Sequence, residues 1–427
     1  MRFFLLAVGL GLVAVACGST STSGPGDSSD GGSGDSDGGP GSNGGDGGTS
    51  NADSGSFVGG GSGTADPTDL GKGMPQVVLV TKTGGVLATP KVVAMTYDND
   101  TNRAELESFL TAFSKSVAWS APTMEYGVGA LSVSTPIHLT GNAPKTMKDT
   151  DAHAILKAHA PLDPSTIYTL FLPAGTVIDD GSGSKCCTDY DGYHSDYSTG
   201  GVTAVYSIVC ACPGFDGKAT TDLQQLTVAA AHETIEAATD PHSKNEGYSQ
   251  PDDAHIAWSL VTGGETGDMC AFADTAYWIP KDMKYMAQRS WSNAAAAAGH
   301  DPCVGEASSV YYNTIPQLTD SVTLADYGIT TKSIKIPLGS TATLKLKIYA
   351  DTAGAGPFTV SVDDYSGMGY IAVKNPAGTF NSGDTVSVDI TAKSADPNYT
   401  GAEIFVVSTA PANGKGPTTY YWGLVSQ

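Results

Sequence analysis

Residues 221–241 read TDLQQLTVAAAHETIEAATDP. Thr221 followed three positions later by Gln224 is a capping-box pattern, in which each side chain satisfies the other's backbone N–H. Pro241 stops the run, since proline has no N–H and clashes with the preceding turn. The spacing predicts a helix over 221–239. Outward from it, 90–97, 167–172 and 202–209 are β-branched, apolar runs that predict strands, the first ending in the Asp98-Asn99-Asp100 turn. Leu106, Phe109, Leu110 and Phe113 recur at helical spacing within 102–116, and 147–160 predicts another helix. Strands and helices do not alternate strictly, so an α+β domain is expected rather than a doubly wound sheet.

From 308 to 427 the period changes to two. Residues 341–349 and 385–390 alternate apolar and polar side chains, with Gly, Pro and Asp turns between the runs. An all-β, Ig-like sandwich is expected there, with no catalytic constellation. The division expected is a leader over 1–17, a tether over 18–69, the α+β domain over 70–305 and the sandwich over 308–427.

The chain has 427 residues, with 22 basic against 44 acidic side chains and a net charge of −22. Such a balance repels phosphate backbones and anionic lipid heads and argues against nucleic acid as a partner. Met1-Arg2, an apolar run over 3–16 and then Cys17 read as a secretory leader. Ala14-Val15-Ala16-Cys17 resembles a bacterial lipobox, with Ala14 where Leu is usual, so lipidation at Cys17 is expected, and with it an exported protein anchored to a bacterial membrane. The alternative is a plain secretory cut near Ala16. Residues 18–69 are nearly all Gly, Ser, Asp and Thr and lack the apolar content for a core. They read as a tether reaching roughly 40 Å by the square-root rule.

Six cysteines remain: Cys186, Cys187, Cys210, Cys212, Cys270 and Cys303. An even number in an exported chain suggests disulfides. Cys270 and Cys303 flank one segment and are expected to pair, and Cys186-Cys187 could bridge Cys210-x-Cys212 twice. A soft-metal site from the last four is the sharper alternative. Tyr190, Tyr193, Tyr197 and His194 read as a disulfide-tied surface loop or the border of a cleft, and Trp258, Trp278 and Trp291 as core.

The chemistry concentrates on the 221–239 helix. His232 and Glu236 are four apart and share one face, so both can hold a single metal ion. Glu233 occupies the place of the general base in H-E-x-x-H zinc enzymes, with Glu236 replacing the second His. A carboxylate binds zinc at about 2.0–2.2 Å, so a zinc site survives the exchange. Glu265-Thr266-Gly267-Asp268 lies 33 residues beyond His232. Glu265 is the preferred third ligand and Asp268 the group orienting His232. Rival ligands are His242 and Asp240, then His194 and His255. A neutral His/Glu/Glu zinc site is a weaker Lewis acid than a His-rich one. The metal-free reading makes His232 and Glu236 buried residues bonded to local partners.

His232-Glu233-x-x-Glu236, then Glu265-x-x-Asp268-x-Cys270, then Trp291-Ser292 and Cys303, resembles the phosphate-induced protein or Exordium-like family of plant extracellular proteins and bacterial relatives, over 76–305. The resemblance implies that His232, Glu233 and Glu236 form the central cluster with Glu265 and Asp268 beside it, in a zincin-like domain. The leader, the acidic tether and the sandwich depart from the plant members, so a growth role does not carry over. The expectation is a surface-anchored, zinc-dependent hydrolase acting on protein, peptide or a cell-envelope polymer. Its competitor is a non-catalytic envelope binding or adhesion lipoprotein, with a structural metal or none.

Overall fold

The computed structural model describes residues 70–81, 85–215, 221–305, 310–325, 327–395 and 401–427. The expected leader, Cys17 and the tether lie outside the described residues.

The first domain is organised by strands β1 (Lys91–Tyr97), β2 (Thr166–Leu172), β3 (Gly192–Thr199) and β4 (Val202–Cys210). They lie in the order β1-β2-β4-β3. β1, β2 and β4 run parallel, with Lys91 opposite Thr166 and Ile167 opposite Val205. β3 returns antiparallel along the free side of β4, with His194 opposite Ser207. The parallel strands are apolar on both faces because both faces are covered. Val92 and Ala94 pack with Leu106, Phe109, Leu110 and Phe113 of α1 (Arg103–Phe113). Val93, Met95 and Tyr97 face the other way, toward Ala152 and Leu156 of α2 (Asp149–Ala158). The two-residue alternation of a strand divides the core in this way.

Helix α3 (Asp222–Thr239) lies along β4 and β3. Its start is the capping box expected: Gln224 N–H donates to Thr221 Oγ1 at 3.2 Å, and Thr221 N–H to Gln224 Oε1 at 2.9 Å. Every residue from Gln225 to Thr239 is buried. That explains its Ala-rich composition, because small side chains let the helix be covered on all sides.

The second domain is a two-sheet β-sandwich. One sheet holds β5 (Tyr312–Pro316), β8 (Thr341–Ala350), β11 (Thr385–Ala392) and β10 (Ile371–Lys374). The other holds β6 (Asp320–Leu324), β7 (Ile329–Lys335), β13 (Thr419–Ser426), β12 (Ala402–Pro411) and β9 (Phe358–Asp364). Leu344, Leu346 and Ile348 point inward with Val386, Val388 and Ile390, as their period requires.

The two domains share a core. Trp258 meets Trp291 of its own domain at 5.5 Å and Trp422 of the sandwich at 4.6 Å, both edge to face. Trp258 and Trp291 are therefore core residues, while Trp278 is half-buried beneath the Arg289 guanidinium at 5.7 Å.

Cys270 and Cys303 are bridged as expected, with Cα atoms 5.6 Å apart. The double bridge between the other four is corrected: only Cys187–Cys212 closes, and Cys186 and Cys210 are buried thiols. The Cys186 sulfur is instead engaged by the Ile178 N–H at 3.2 Å. The surface-loop expectation for 190–197 is corrected too, since most of it is strand β3. Tyr190 and Tyr193 are buried, with hydroxyls donated to Ile178 O and Asp149 Oδ1.

Candidate metal centre

Three chain segments converge on the middle of α3. The helix brings His232, Glu233 and Glu236. Their four-residue spacing sets His232 Nε2 2.9 Å from Glu236 Oε2. The second segment, 263–268, crosses the same face. Gly267 carries no side chain there for a steric reason: a Cβ would lie 2.8 Å from Glu236 Oε1 and 3.0 Å from His232 Nδ1. The close approach lets the N–H groups of Gly267 and Asp268 donate to Glu236 Oε1 at 3.0 and 2.9 Å. The segment is held from outside, as Gln288 Nε2 donates to Gly267 O and Trp291 N–H to Thr266 O.

The third segment is β3. Strand alternation sends Tyr193 to the far face and His194 toward α3. His194 Nε2 donates to Asp240 O at 3.1 Å, because a carbonyl can only accept. Its Nδ1 lies 3.4 Å from Glu233 Oε2 and 3.9 Å from Glu236 Oε2. Glu265 Oε2 lies 3.8 Å from the ring's other nitrogen. Gly192, two residues earlier, seats directly on Glu233, where a Cβ would fall 2.9 Å from its Cγ.

His232, Glu233, Glu236, Glu265 and Asp268 are all buried to within 1% of full coverage. Neither oxygen of Glu233, nor either oxygen of Glu265, finds a hydrogen bond of ordinary geometry among the described residues. Burial pushes the Glu233 carboxyl up, and it pushes Glu265 and Asp268 well above the carboxylate range, reinforced by the charge of Glu236. Glu236 goes the other way: burial acts against its ionised form, but His232 and His194 outweigh that and hold it down to about 2. Burial also lowers His194, and Glu233 more than restores it.

The donor atoms suit a cation. Ligands at about 2.0–2.1 Å around a tetrahedral ion lie about 3.3 Å from one another. The N···O separations here run from 2.9 to 3.9 Å. Two groups of three, His194 with Glu236 and Glu265, and His232 with Glu233 and Glu236, each have donor atoms within 4.8 Å of one another.

The residues singled out in the sequence divide clearly. His232, Glu233, Glu236, Glu265 and Asp268 come together. Glu265 approaches Glu236 and His194. Asp268 meets His232 at Nε2, 3.5 Å away, the same nitrogen that faces Glu236. It thus stands as a further donor to the gap rather than behind the ring. Asp240 is adjacent but its carboxylate is engaged elsewhere: Oδ1 accepts the Gly247 N–H, and only its backbone carbonyl serves the site by fixing His194. Burial raises that carboxyl to about 6. His242 faces Asp196 at 3.3 Å, and His255 faces Asp252 at 2.8 Å. His194, ranked behind His242 in the sequence, is the imidazole that joins the cluster.

No family model matches the chain, and no curated protein does. Among solved structures, the S-layer protein SbsC domains 4 and 5 match at 11% identity, over 26% of this chain and 52% of that one, with a TM-score of 0.17. The SrpA adhesin from Streptococcus sanguinis matches at 11% identity, over 27% and 57%, also with a TM-score of 0.17. The chain thus spans about half the length of each, and scores at this level establish no common fold.

Proposed function

We propose that the chain is an exported protein whose first domain is built around a divalent-cation centre of the hydrolytic type. The observation that carries this is the charge imbalance of the cluster. Four carboxylates, Glu233, Glu236, Glu265 and Asp268, are buried with two imidazoles. Two like charges 4 Å apart repel by about 4 kcal/mol even at an effective dielectric of 20. Only protons or a cation relieve that, and Glu233 and Glu265, whose oxygens find no hydrogen bond of ordinary geometry among the described residues, suit a cation.

His232, Glu236 and Glu265 or His194 would hold the ion, and zinc is the natural candidate for imidazole with carboxylate. When bound, such an ion acidifies water and polarises a carbonyl. Glu233 is next to His232, touched by His194 Nδ1 at 3.4 Å and raised by burial, which suits a proton acceptor. A helix bearing H-E-x-x-E laid against a mixed sheet is compatible with a zincin-like reading, while the Exordium-like resemblance rests on the order of the sequence motifs alone. The substrate class proposed is peptide or envelope polymer. Lipid anchoring through Cys17 belongs to the same proposal, since each buried CH2 contributes about 0.8 kcal/mol to membrane attachment.

A second reading has its own observation. The donors are covered by β3 on one side and 263–268 on the other. Structural metal sites are closed, whereas catalytic ones keep a position open. On this reading the cation fastens a non-catalytic envelope-binding module.

Full-length protein with its disulfides intact, assayed for zinc by mass spectrometry and for hydrolysis of casein and of envelope polymer, decides between them. Hydrolysis that falls about 10²–10⁴-fold in Glu233→Gln, with zinc retained, supports the first. Zinc without hydrolysis in the unaltered protein supports the second, and protein that takes up no divalent ion refutes both.

A further inference from the structure

We infer that the centre holds two divalent cations bridged by the Glu236 carboxylate, His194 and Glu265 binding one and His232 and Asp268 the other. The inference rests on the cation reading above and adds its stoichiometry and a second site. Its starting point is that two groups of donors, His194-Glu236-Glu265 and His232-Glu233-Glu236, share Glu236, and that Asp268 joins the second through His232 Nε2 at 3.5 Å. Glu236 Oε1 is already taken by two backbone N–H groups. Oε2 therefore faces both imidazoles, 2.9 Å from His232 Nε2 and 3.9 Å from His194 Nδ1. One carboxylate oxygen presented to nitrogens from two different elements is a bridging arrangement.

His194 is prepared to be a ligand. Its Nε2 proton is committed to Asp240 O, which is the partner a metal-bound imidazole keeps on its far side. That leaves Nδ1 facing Glu233 Oε2 and Glu236 Oε2, where a cation lying between them would displace its proton and take its lone pair. Glu265 supplies the independent sign of a ligand, being a wholly covered carboxylate with no hydrogen bond of ordinary geometry among the described residues, its Oε2 3.8 Å from the ring's Nε2 and its donor atom within 4.8 Å of those of His194 and Glu236. On the other side Asp268 Oδ1 lies 3.5 Å from His232 Nε2.

The charges also close. Glu233, Glu236, Glu265 and Asp268 carry four negative charges when ionised, and the imidazoles are neutral as ligands. A single divalent ion balances two of the four and requires the other two carboxyls to keep protons, which would leave them unable to serve as anionic ligands. Two divalent ions cancel all four. Glu233 belongs to the His232 group and lies 3.4 Å from His194 Nδ1, so it is shared between the two sides, where one proton acceptor serves both. Mixed imidazole and carboxylate donors fit first-row ions such as zinc or manganese.

The test uses the full chain with disulfides intact, stripped by chelator, reloaded with zinc, dialysed and analysed for metal per chain. Two zinc ions per chain are expected. His194→Gln and His232→Gln should each retain about half, and Glu236→Gln less than either. Manganese-loaded protein should show a spin-coupled resonance that becomes that of an isolated ion in His194→Gln. One zinc per chain in the unaltered protein, or His194→Gln with undiminished zinc, overturns the inference while sparing the cation reading. No zinc at all overturns both. The stoichiometry of the unaltered protein decides the matter even if a variant fails to fold.

Discussion

Gly267→Ala isolates the steric reason for the close crossing of α3 by the acid-bearing segment. Gly267 has φ −74° and ψ −46°, ordinary helical values at the start of the short helix α4 (Asp268–Ala271), so alanine is not strained in its backbone. On propensity alone the change should stabilise by roughly 0.5–1 kcal/mol. The added methyl, however, lands 2.8 Å from Glu236 Oε1 and 3.0 Å from His232 Nδ1. Ordinary contacts are about 3.4 Å or more, so the segment must retreat by roughly half an ångström. Retreat lengthens the two N–H bonds that aim Glu236, from 3.0 and 2.9 Å toward the limit of hydrogen bonding. Losing the partners that orient metal ligands typically costs 10–100-fold in affinity, or about 1.4–2.7 kcal/mol. Competition for zinc against a chromophoric chelator reads this directly, and a urea melt of the stripped protein reads the backbone gain separately. Zinc affinity within twofold of the unaltered protein would show that the segment does not aim Glu236 at a metal, and the account of the glycine would be wrong.

Phe109→Ala should destabilise the first domain by about 3–5 kcal/mol, because the ring is wholly buried between Phe113 at 5.3 Å and Tyr285 at 5.6 Å; a urea midpoint shifted by less than 1 kcal/mol equivalent would contradict that core. Trp422→Ala should loosen the junction of the domains by a similar amount, since it removes the edge-to-face contact with Trp258 at 4.6 Å, and a urea midpoint that does not move would contradict that junction. Thiol counting on denatured protein should find the pair Cys186 and Cys210 reactive and Cys187, Cys212, Cys270 and Cys303 not; four reactive thiols would refute one bridge. Lys91, 2.6 Å away, holds the Asp163 carboxyl below its usual range, so its contribution is present above the unfolded value and is lost as pH falls below about 4. Asp163→Asn should flatten that acid limb of stability, and an unchanged limb would dismiss the pair.

What could be read in advance follows the range of the interactions involved. Helix α3 was legible to its cap because Thr221, Gln224 and Pro241 act within a turn of themselves. The i, i+4 pairing of His232 with Glu236 needs only the helix. The sandwich was legible because Leu344, Leu346 and Ile348 alternate with the exposed Thr343 and Lys345 and the half-buried Lys347. Glu265 and Asp268 were found through their motif and not through geometry. His194 was undervalued because its role depends on three non-local facts: β3 pairing with β4, the register that opposes it to Ser207, and α3 lying on that face. The signal available was a histidine in a strand otherwise framed by Tyr193 and Tyr197. The cysteine count was correct in kind, but one residue's difference along the chain, Cys186 against Cys187, turns a side chain from a bridge into the core.

The arrangement of supports around the centre bears on why so much like charge can be gathered before any ion arrives. The acid segment ends at Cys270, two residues past Asp268, and Cys270 is bridged to Cys303. Trp291, packed on Trp258, holds Thr266 by its backbone, and Gln288 holds Gly267. Glu265 and Asp268 are thus positioned by a disulfide, a shared aromatic core and neutral hydrogen bonds, none of which depends on their charge. On the other side His194 is fixed by the sheet and by Asp240 O. The repulsion among the carboxylates is consequently borne by the scaffold and relieved by protonation in the stripped protein. A cation exchanges those protons for coordinate bonds without moving the ligands far, so its binding should tighten steeply as pH rises and release protons as it proceeds. A centre assembled from loops that order only around the ion would instead couple metal uptake to a large gain in helix or sheet content. Circular dichroism that barely changes on loading, together with measurable proton release, is what this scaffold requires.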